Sequence, residues 1–262
     1  MRRSATEELV RRMGQGLKKR MPSAMWSAVK RFTTRTLFAR NLRLLATVHG
    51  SDKWGGHWYA QHYEHHFRRL RRKPIVLIEI GIGGYDNPNS GGASLRMWKD
   101  YFPRGSIHGV DIHDKRAQEA HRITTHIGDQ SDGDFLRGLV ARTGTPDIII
   151  DDGSHVNRDV TATFEVLFPL LATNGIYVIE DLATAYWPEF GGSSTDLISA
   201  PTSMMMLKRM VDGLNHREFL PGSQPRIFTD ETVVGMHFYH NIVFCQKGWN
   251  DEAASRATAS HA

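Results

Sequence analysis

The feature that most constrains this chain is a series of five short, mostly apolar runs between residues 75 and 180, each ending at or beside an acidic residue. The runs are Ile75–Ile80, Ser106–Asp111, Ile123–Gly128, Asp147–Asp151 and Gly175–Glu180. Apolar stretches this short, bounded by Gly or Pro turns, read as parallel strands buried on both faces. The spacers hold helical patterns at Ser94–Tyr101, Phe135–Ala141 and Val160–Leu171, with Ser94 close to an expected N-cap. Strands alternating with helices require right-handed crossovers and a doubly wound α/β sheet. After a Gly-, Ser- and aromatic-rich loop at Asp181–Ala200 comes a helix at Met204–Leu214. Thr232–Phe238 and Ile242–Gln246 then flank a tight turn, so the expected sheet has seven strands and closes on an antiparallel hairpin.

The first 73 residues differ in character from the rest. They carry 18 Lys/Arg against 4 Asp/Glu, whereas residues 74–262 carry 15 against 24. Such a basic arm on an acidic body suits an anionic surface, an acidic neighbouring subunit or plain solvation. Residues 1–20 read as a frayed helix or as disordered, and 22–48 as packed helices. Residues 1–48 are therefore expected to form a basic helical arm, 49–73 an aromatic- and His-rich lid, 74–248 the main domain, and 249–262 a disordered tail. No apolar run reaches the ~18 residues of a membrane span, and no apolar segment follows Arg2 and Arg3 as a secretory signal requires. The single cysteine, Cys245, lies in an apolar strand pattern, which fits a buried thiol in a reducing cytoplasm. Contact with a membrane surface would fall to the arm.

In open α/β sheets ligands sit beyond the carboxyl ends of the strands. There this chain places Glu79-Ile80-Gly81-Ile82-Gly83-Gly84, then Asp111, then Gly128-Asp129-Gln130, Asp151-Asp152-Gly153-Ser154-His155 and Glu180-Asp181. A dinucleotide fingerprint needs Gly or Ala where Asp86 stands. Glu79-x-Gly81-x-Gly83 instead matches the glycine loop of class I methyltransferases, which are Rossmann-like and bind S-adenosylmethionine. On that reading Glu79, Gly81, Gly83, Tyr85, Ser94, Asp111, Asp129, Gln130 and Asp152 line the cofactor. Asp111 suits the ribose hydroxyls, and Asp129 and Gln130 the adenine. Three converging carboxylates, Asp152, Glu180 and Asp181, would repel one another unless a divalent cation joined them, and hard oxygen donors favour Mg²⁺. His155, three residues past Asp152, is the candidate general base.

Other residues carry weaker signals. His62 and His66 are spaced i, i+4, but no familiar zinc pattern surrounds them, so a surface or lid role is expected. His237, His240 and Asn241 at the closing hairpin are candidates for an acceptor pocket. Trp54, Trp58, Tyr186 and Trp187 are candidates for stacking on a sugar.

The combination Asp151-Asp152-Gly153-Ser154-His155 with Glu180-Asp181 resembles the metal-dependent sugar O-methyltransferases of macrolide biosynthesis. Gly50-Ser51-Asp52-Lys53, Glu79–Tyr85, Ser94–Trp98 and His237–Asn241 extend the resemblance over residues 49–248. It implies Mg²⁺ on Asp152, Glu180 and Asp181, His155 as base, a sugar or oligosaccharide acceptor, and a homo-oligomer, a dimer at simplest. The macrolide enzymes carry an additional N-terminal domain. The shorter length tilts the expectation toward the mycobacterial methylmannose polysaccharide 1-O-methyltransferase, with a macrolide deoxysugar as the alternative acceptor. An RNA or catechol methyltransferase and a non-catalytic scaffold are the competing classes. No base-stacking module supports specific nucleic-acid binding.

Overall fold

The computed structural model describes residues 3–255 and contains all seven expected strands. They are β1 (Val76–Ile80), β2 (Ser106–Asp111), β3 (Ile123–Ile127), β4 (Ile148–Asp151), β5 (Ile176–Glu180), β6 (Val233–Tyr239) and β7 (Ile242–Lys247). Their order in the sheet is β3-β2-β1-β4-β5-β7-β6. Pairing is parallel for β2 with β3, β1 with β4, and β4 with β5, and antiparallel from β5 to β7 and from β7 to β6. The expected α/β architecture with its closing antiparallel hairpin is therefore present.

The chain divides into two compact units, one holding the residues up to Ile75 together with Ile82–Ile127, the other Val76–Gly81 together with the residues from Gly128 on. In the first unit α1 (Ala5–Arg20) is a formed helix where the sequence left fraying or disorder open. Ser4 accepts from Glu7 N–H and Glu7 accepts from Ser4 N–H, a reciprocal capping box that starts it. Helices α2 (Ser23–Arg35), α3 (Leu42–His49) and α4 (Ala60–Phe67) follow. Asn41 caps α3 through Leu44 N–H, and Gly50 ends it at φ 73°. Helix α5 (Ala93–Tyr101) packs on α3, and His49 Nε2 meets Asp100 Oδ2 at 2.9 Å between them. The N-cap of α5 is Gly92 at φ 67°, two residues before the expected Ser94. Tyr63, Phe67, Trp98 and Phe102 form the aromatic core of this unit.

In the second unit β4 is the most secluded strand: Ile148, Ile149 and Ile150 are fully buried. Each such side chain stabilises the fold by about 1.5–3 kcal/mol relative to exposure. Helices α6 (Gly133–Thr143), α7 (Asn157–Leu170), α8 (Ser203–Gly213) and α9 (Phe228–Thr232) complete the unit. Asp132 caps α6 by accepting from Asp134 and Phe135 N–H. At the C-terminal end of α7, Lys247 Nζ donates to the Pro169 and Leu171 carbonyls at 2.7 Å each, satisfying acceptors that a helix terminus leaves open. The expected tail from 249 starts with Asn250 tied to the carbonyls of Leu214 and Asp230, and its residues 256–262 lie outside those described. Among the described residues no helix is long and apolar enough to cross a membrane.

Candidate active site

The strand order reverses between β1 and β4, and the carboxyl ends of these two strands carry Glu79 and Asp151-Asp152. Gly81 follows β1 at φ 85°, and a Cβ on it would strike the Asp152 carbonyl. Glycine is required there by both conformation and space.

Three side chains converge where β4 and β5 end. Asp152, His155 and Asp181 each offer a ligand atom, and these atoms all lie within 4.8 Å of one another, the one such group found among the described residues. His155 Nε2 stands 3.8 Å from Asp181 Oδ2, with both side chains about three-quarters buried. Glu180, the third expected metal ligand, is buried at the end of β5 and is not part of this trio. His155 at φ 57°, Asp181 at φ 54° and the nearby Asn241 at φ 67° all adopt the left-handed conformation that non-glycine residues rarely take. Such strain persists only where surrounding bonds over-determine it. Here Ser154 N–H donates to Gln130 Oε1, while Ser154 Oγ donates to Asp159 and accepts from Val156 N–H, pinning the turn that aims His155. Two carboxylates this close repel one another, and a hard divalent cation held through their oxygens would remove that cost, with the His155 imidazole beside them free to accept a proton.

Behind the trio Asp151 is wholly buried, and that burial pushes its carboxyl up to about 7 despite the bond it accepts from Gln130 Nε2. Gln130 also donates to Thr163 Oγ1. Both ends of its amide are thus engaged within the protein, on Asp151, Thr163 and Ser154, rather than presented to an adenine as expected. Asp129 is exposed, and the bonds from Ser131 N–H and Oγ hold its carboxyl below the usual range.

The first unit holds the other expected cofactor residues. Asp111 Oδ2 accepts from Ile82 N–H at 3.1 Å and Oδ1 from His113 N–H at 2.9 Å, so it braces the glycine loop while keeping lone pairs for hydroxyl donors. Gly83, at φ 74°, has open space where a side chain would stand, its nearest neighbour there being Gly91 Cα at 4.0 Å. That space is a cradle into which a ligand can press against backbone. Tyr85 is exposed and left-handed at φ 47°, and Ser94 is buried in the first turn of α5.

Several contributors escaped the sequence reading. Lys115 is fully buried and its Nζ donates to the carbonyls of Tyr85 at 2.5 Å and Asn87 at 3.0 Å, clamping the segment after the glycine loop. Asn157 is likewise buried; it donates to Thr184 and Phe190 carbonyls and accepts from Ser203 N–H and Oγ, which ties down the 181–203 loop. A lysine or asparagine beside a loop gives no periodic signal, so only burial reveals either role. Trp54, expected to stack on a sugar, is buried edge-on against Trp58. Tyr186 and Trp187 remain accessible. His66 is buried, and the His62–His66 pair belongs to no metal-binding group among the described residues. Cys245 is buried in β7, which pushes its thiol up to about 12 and makes it unreactive.

No family model matches the chain. Curated relatives do. It is 50% identical over 215 residues to the demethylmacrocin O-methyltransferase of Streptomyces fradiae, covering 81% of this chain and 54% of that protein. Identity is 48% over 215 residues to the mycinamicin VI 2''-O-methyltransferase of Micromonospora griseorubida, with the same coverages. Among solved structures, the MycE methyltransferase of the mycinamycin pathway, in complex with Mg, SAH and mycinamycin VI, superposes with TM-score 0.78 at 45% identity, covering 82% of this chain and 55% of that one. A seven-stranded sheet of this order, with a glycine loop after β1 and an acid after β2, defines the Rossmann-like methyltransferase fold. Over the part they share, the chain belongs to the same family as these sugar O-methyltransferases. It spans about half the length of the curated relatives it matches.

Proposed function

We propose that this chain catalyses S-adenosylmethionine- and Mg²⁺-dependent methylation of a sugar hydroxyl, with a deoxysugar of a glycosylated natural product as acceptor. The observation that carries the proposal is the Asp152–His155–Asp181 trio at the ends of two neighbouring strands, in a chain with relatives named as O-methyltransferases of rhamnosyl and olivosyl compounds. The deoxysugar is favoured over a methylmannose oligosaccharide because the tetracenomycin and oleandolide enzymes among the relatives are named for rhamnosyl and olivosyl acceptors.

In this reading Asp152 and Asp181 hold the cation, with Glu180 supporting from the adjoining strand end. Glu79, Gly81, Gly83, Tyr85, Ser94, Asp111 and Asp129 hold the cofactor. Bound together, the two groups supply a methyl donor and an acidified acceptor hydroxyl. His155 takes the hydroxyl proton at Nε2, and Asp181 beside it steadies the resulting imidazolium. Tyr186 and Trp187 offer aromatic faces to the sugar. Residues 74–248 form the catalytic domain, 49–73 its lid and 1–48 a basic arm; a homo-oligomer belongs to the same reading.

The test is a methyl-transfer screen against deoxysugar glycosides and partly methylated mannosides, with Mg²⁺ and with EDTA. Activity on a deoxysugar glycoside is expected, lost in EDTA and lost in His155→Ala while S-adenosylhomocysteine still binds that variant. Full turnover in EDTA sinks the metal role; turnover only on mannosides reverses the choice of acceptor.

A further inference from the structure

We infer that Asn241, at the tip of the closing hairpin, is a positioning residue for the cation site: it fixes the carboxylate of Asp181. The inference rests on the metal reading above but concerns a residue outside the ligand set.

The geometry starts from the sheet. The β5–β7 ladder ends with Glu180 opposite Ile242, so the next residue of one strand and the preceding residue of the other, Asp181 and Asn241, are brought side by side although 60 positions apart. Asn241 then makes three bonds to three consecutive residues. Its Nδ2 donates to Asp181 Oδ1 at 3.0 Å, and its Oδ1 accepts from Ala183 N–H at 2.5 Å. Its carbonyl accepts from Leu182 N–H at 3.2 Å, which closes the backbone across the two strand ends. The side-chain amide therefore spans the turn that leaves β5, and one of its hydrogens is spent on a carboxylate oxygen.

That bond leaves Asp181 Oδ2 directed toward His155 Nε2, 3.8 Å away, in the trio with Asp152. A carboxylate free to rotate would present either oxygen and lose conformational freedom on binding a cation. One held by an amide has already lost it. Groups that orient metal ligands in this way are typically worth about 10–100-fold in metal affinity. The left-handed backbone of Asn241, φ 67°, explains why the residue is asparagine: it tolerates this conformation and carries both a donor and an acceptor. Glycine shares the backbone tolerance without the amide, which makes it the clean substitution.

The experiment is Mn²⁺ titration of the full chain, read by electron paramagnetic resonance of the free ion, in the parent, Asn241→Gly and Asp181→Asn. S-adenosylhomocysteine binding and the melting temperature are recorded for each. We expect Asn241→Gly to weaken Mn²⁺ binding by about 10-fold or more with S-adenosylhomocysteine affinity unchanged. If Asn241→Gly does not fold, Asn241→Ser, too short to reach both Asp181 and Ala183, carries the same expectation. Unchanged Mn²⁺ affinity in the folded variant, alongside weakened binding in Asp181→Asn, overturns the inference and leaves Asn241 as a turn residue. Failure of the parent to bind Mn²⁺ instead overturns the metal reading itself.

Discussion

At the scale of single residues, the chemistry depends on positions where only one side chain fits. Gly81 is the sharpest case, because its positive φ and the Asp152 carbonyl each exclude a Cβ. Gly81→Ala must therefore displace the end of β4 as well as strain its own backbone, at a cost of about 1–3 kcal/mol for the strain alone. We expect a melting temperature several degrees below the parent and loss of methyl transfer; an unchanged melting temperature would show that the two strand ends separate freely. Asp151 illustrates the opposite kind of constraint. The sequence shows it as the first acid of a pair, yet its burial beneath Gln130 makes it a structural carboxyl, whereas Asp152 turns toward His155 and Asp181. Two adjacent acids in a strand end point to opposite sides, and which one meets the site depends on the register of the neighbouring strands.

At the scale of elements, loops that the sequence left structureless are held by buried polar side chains. The segment from Gly84 to Gly92 has Lys115 beneath it, Gln118 donating to the Pro88 carbonyl and Arg96 donating to the Gly91 carbonyl. Each bond is worth about 0.5–1.5 kcal/mol, more where the donor is charged. Lys115→Met keeps the stem volume but removes the ammonium. We expect faster amide exchange confined to residues 84–92 and weaker S-adenosylhomocysteine binding, with exchange in α6 and α7 unchanged. Exchange rates equal to the parent's across that segment would refute the clamp. Helix and strand positions were legible because each repeats its apolar residues with its own period. Clamps have no period, and a lysine reads as solvated until burial shows otherwise.

At the scale of the whole molecule, acid stability is set in part by His108. Burial on β2, with His126 of β3 at 3.2 Å, pushes its imidazole down to about 4. The unfolded chain, with an ordinary value of 6.5, binds the proton more readily between those limits. Stability is thus full above about 6.5 and is lost as pH falls toward 4. Urea midpoints at pH 7 and pH 5 should fall further apart in the parent than in His108→Gln. Equal shifts in both proteins would assign the acid sensitivity elsewhere, His49 being the next histidine that burial pushes down.

The sequence by itself determined the sheet class, the hairpin that closes it and the acids at the strand ends. The reason is that a strand buried on both faces favours apolar residues and disfavours charge, so the acids gather toward its end. Tertiary structure decided which of those acids meet. The order β1-β4-β5-β7 sets Asp152, His155 and Asp181 together, and the same order brings Asn241 against Asp181 from 60 residues away. Contacts across such distances follow from strand neighbours and register, which local periodicity does not encode.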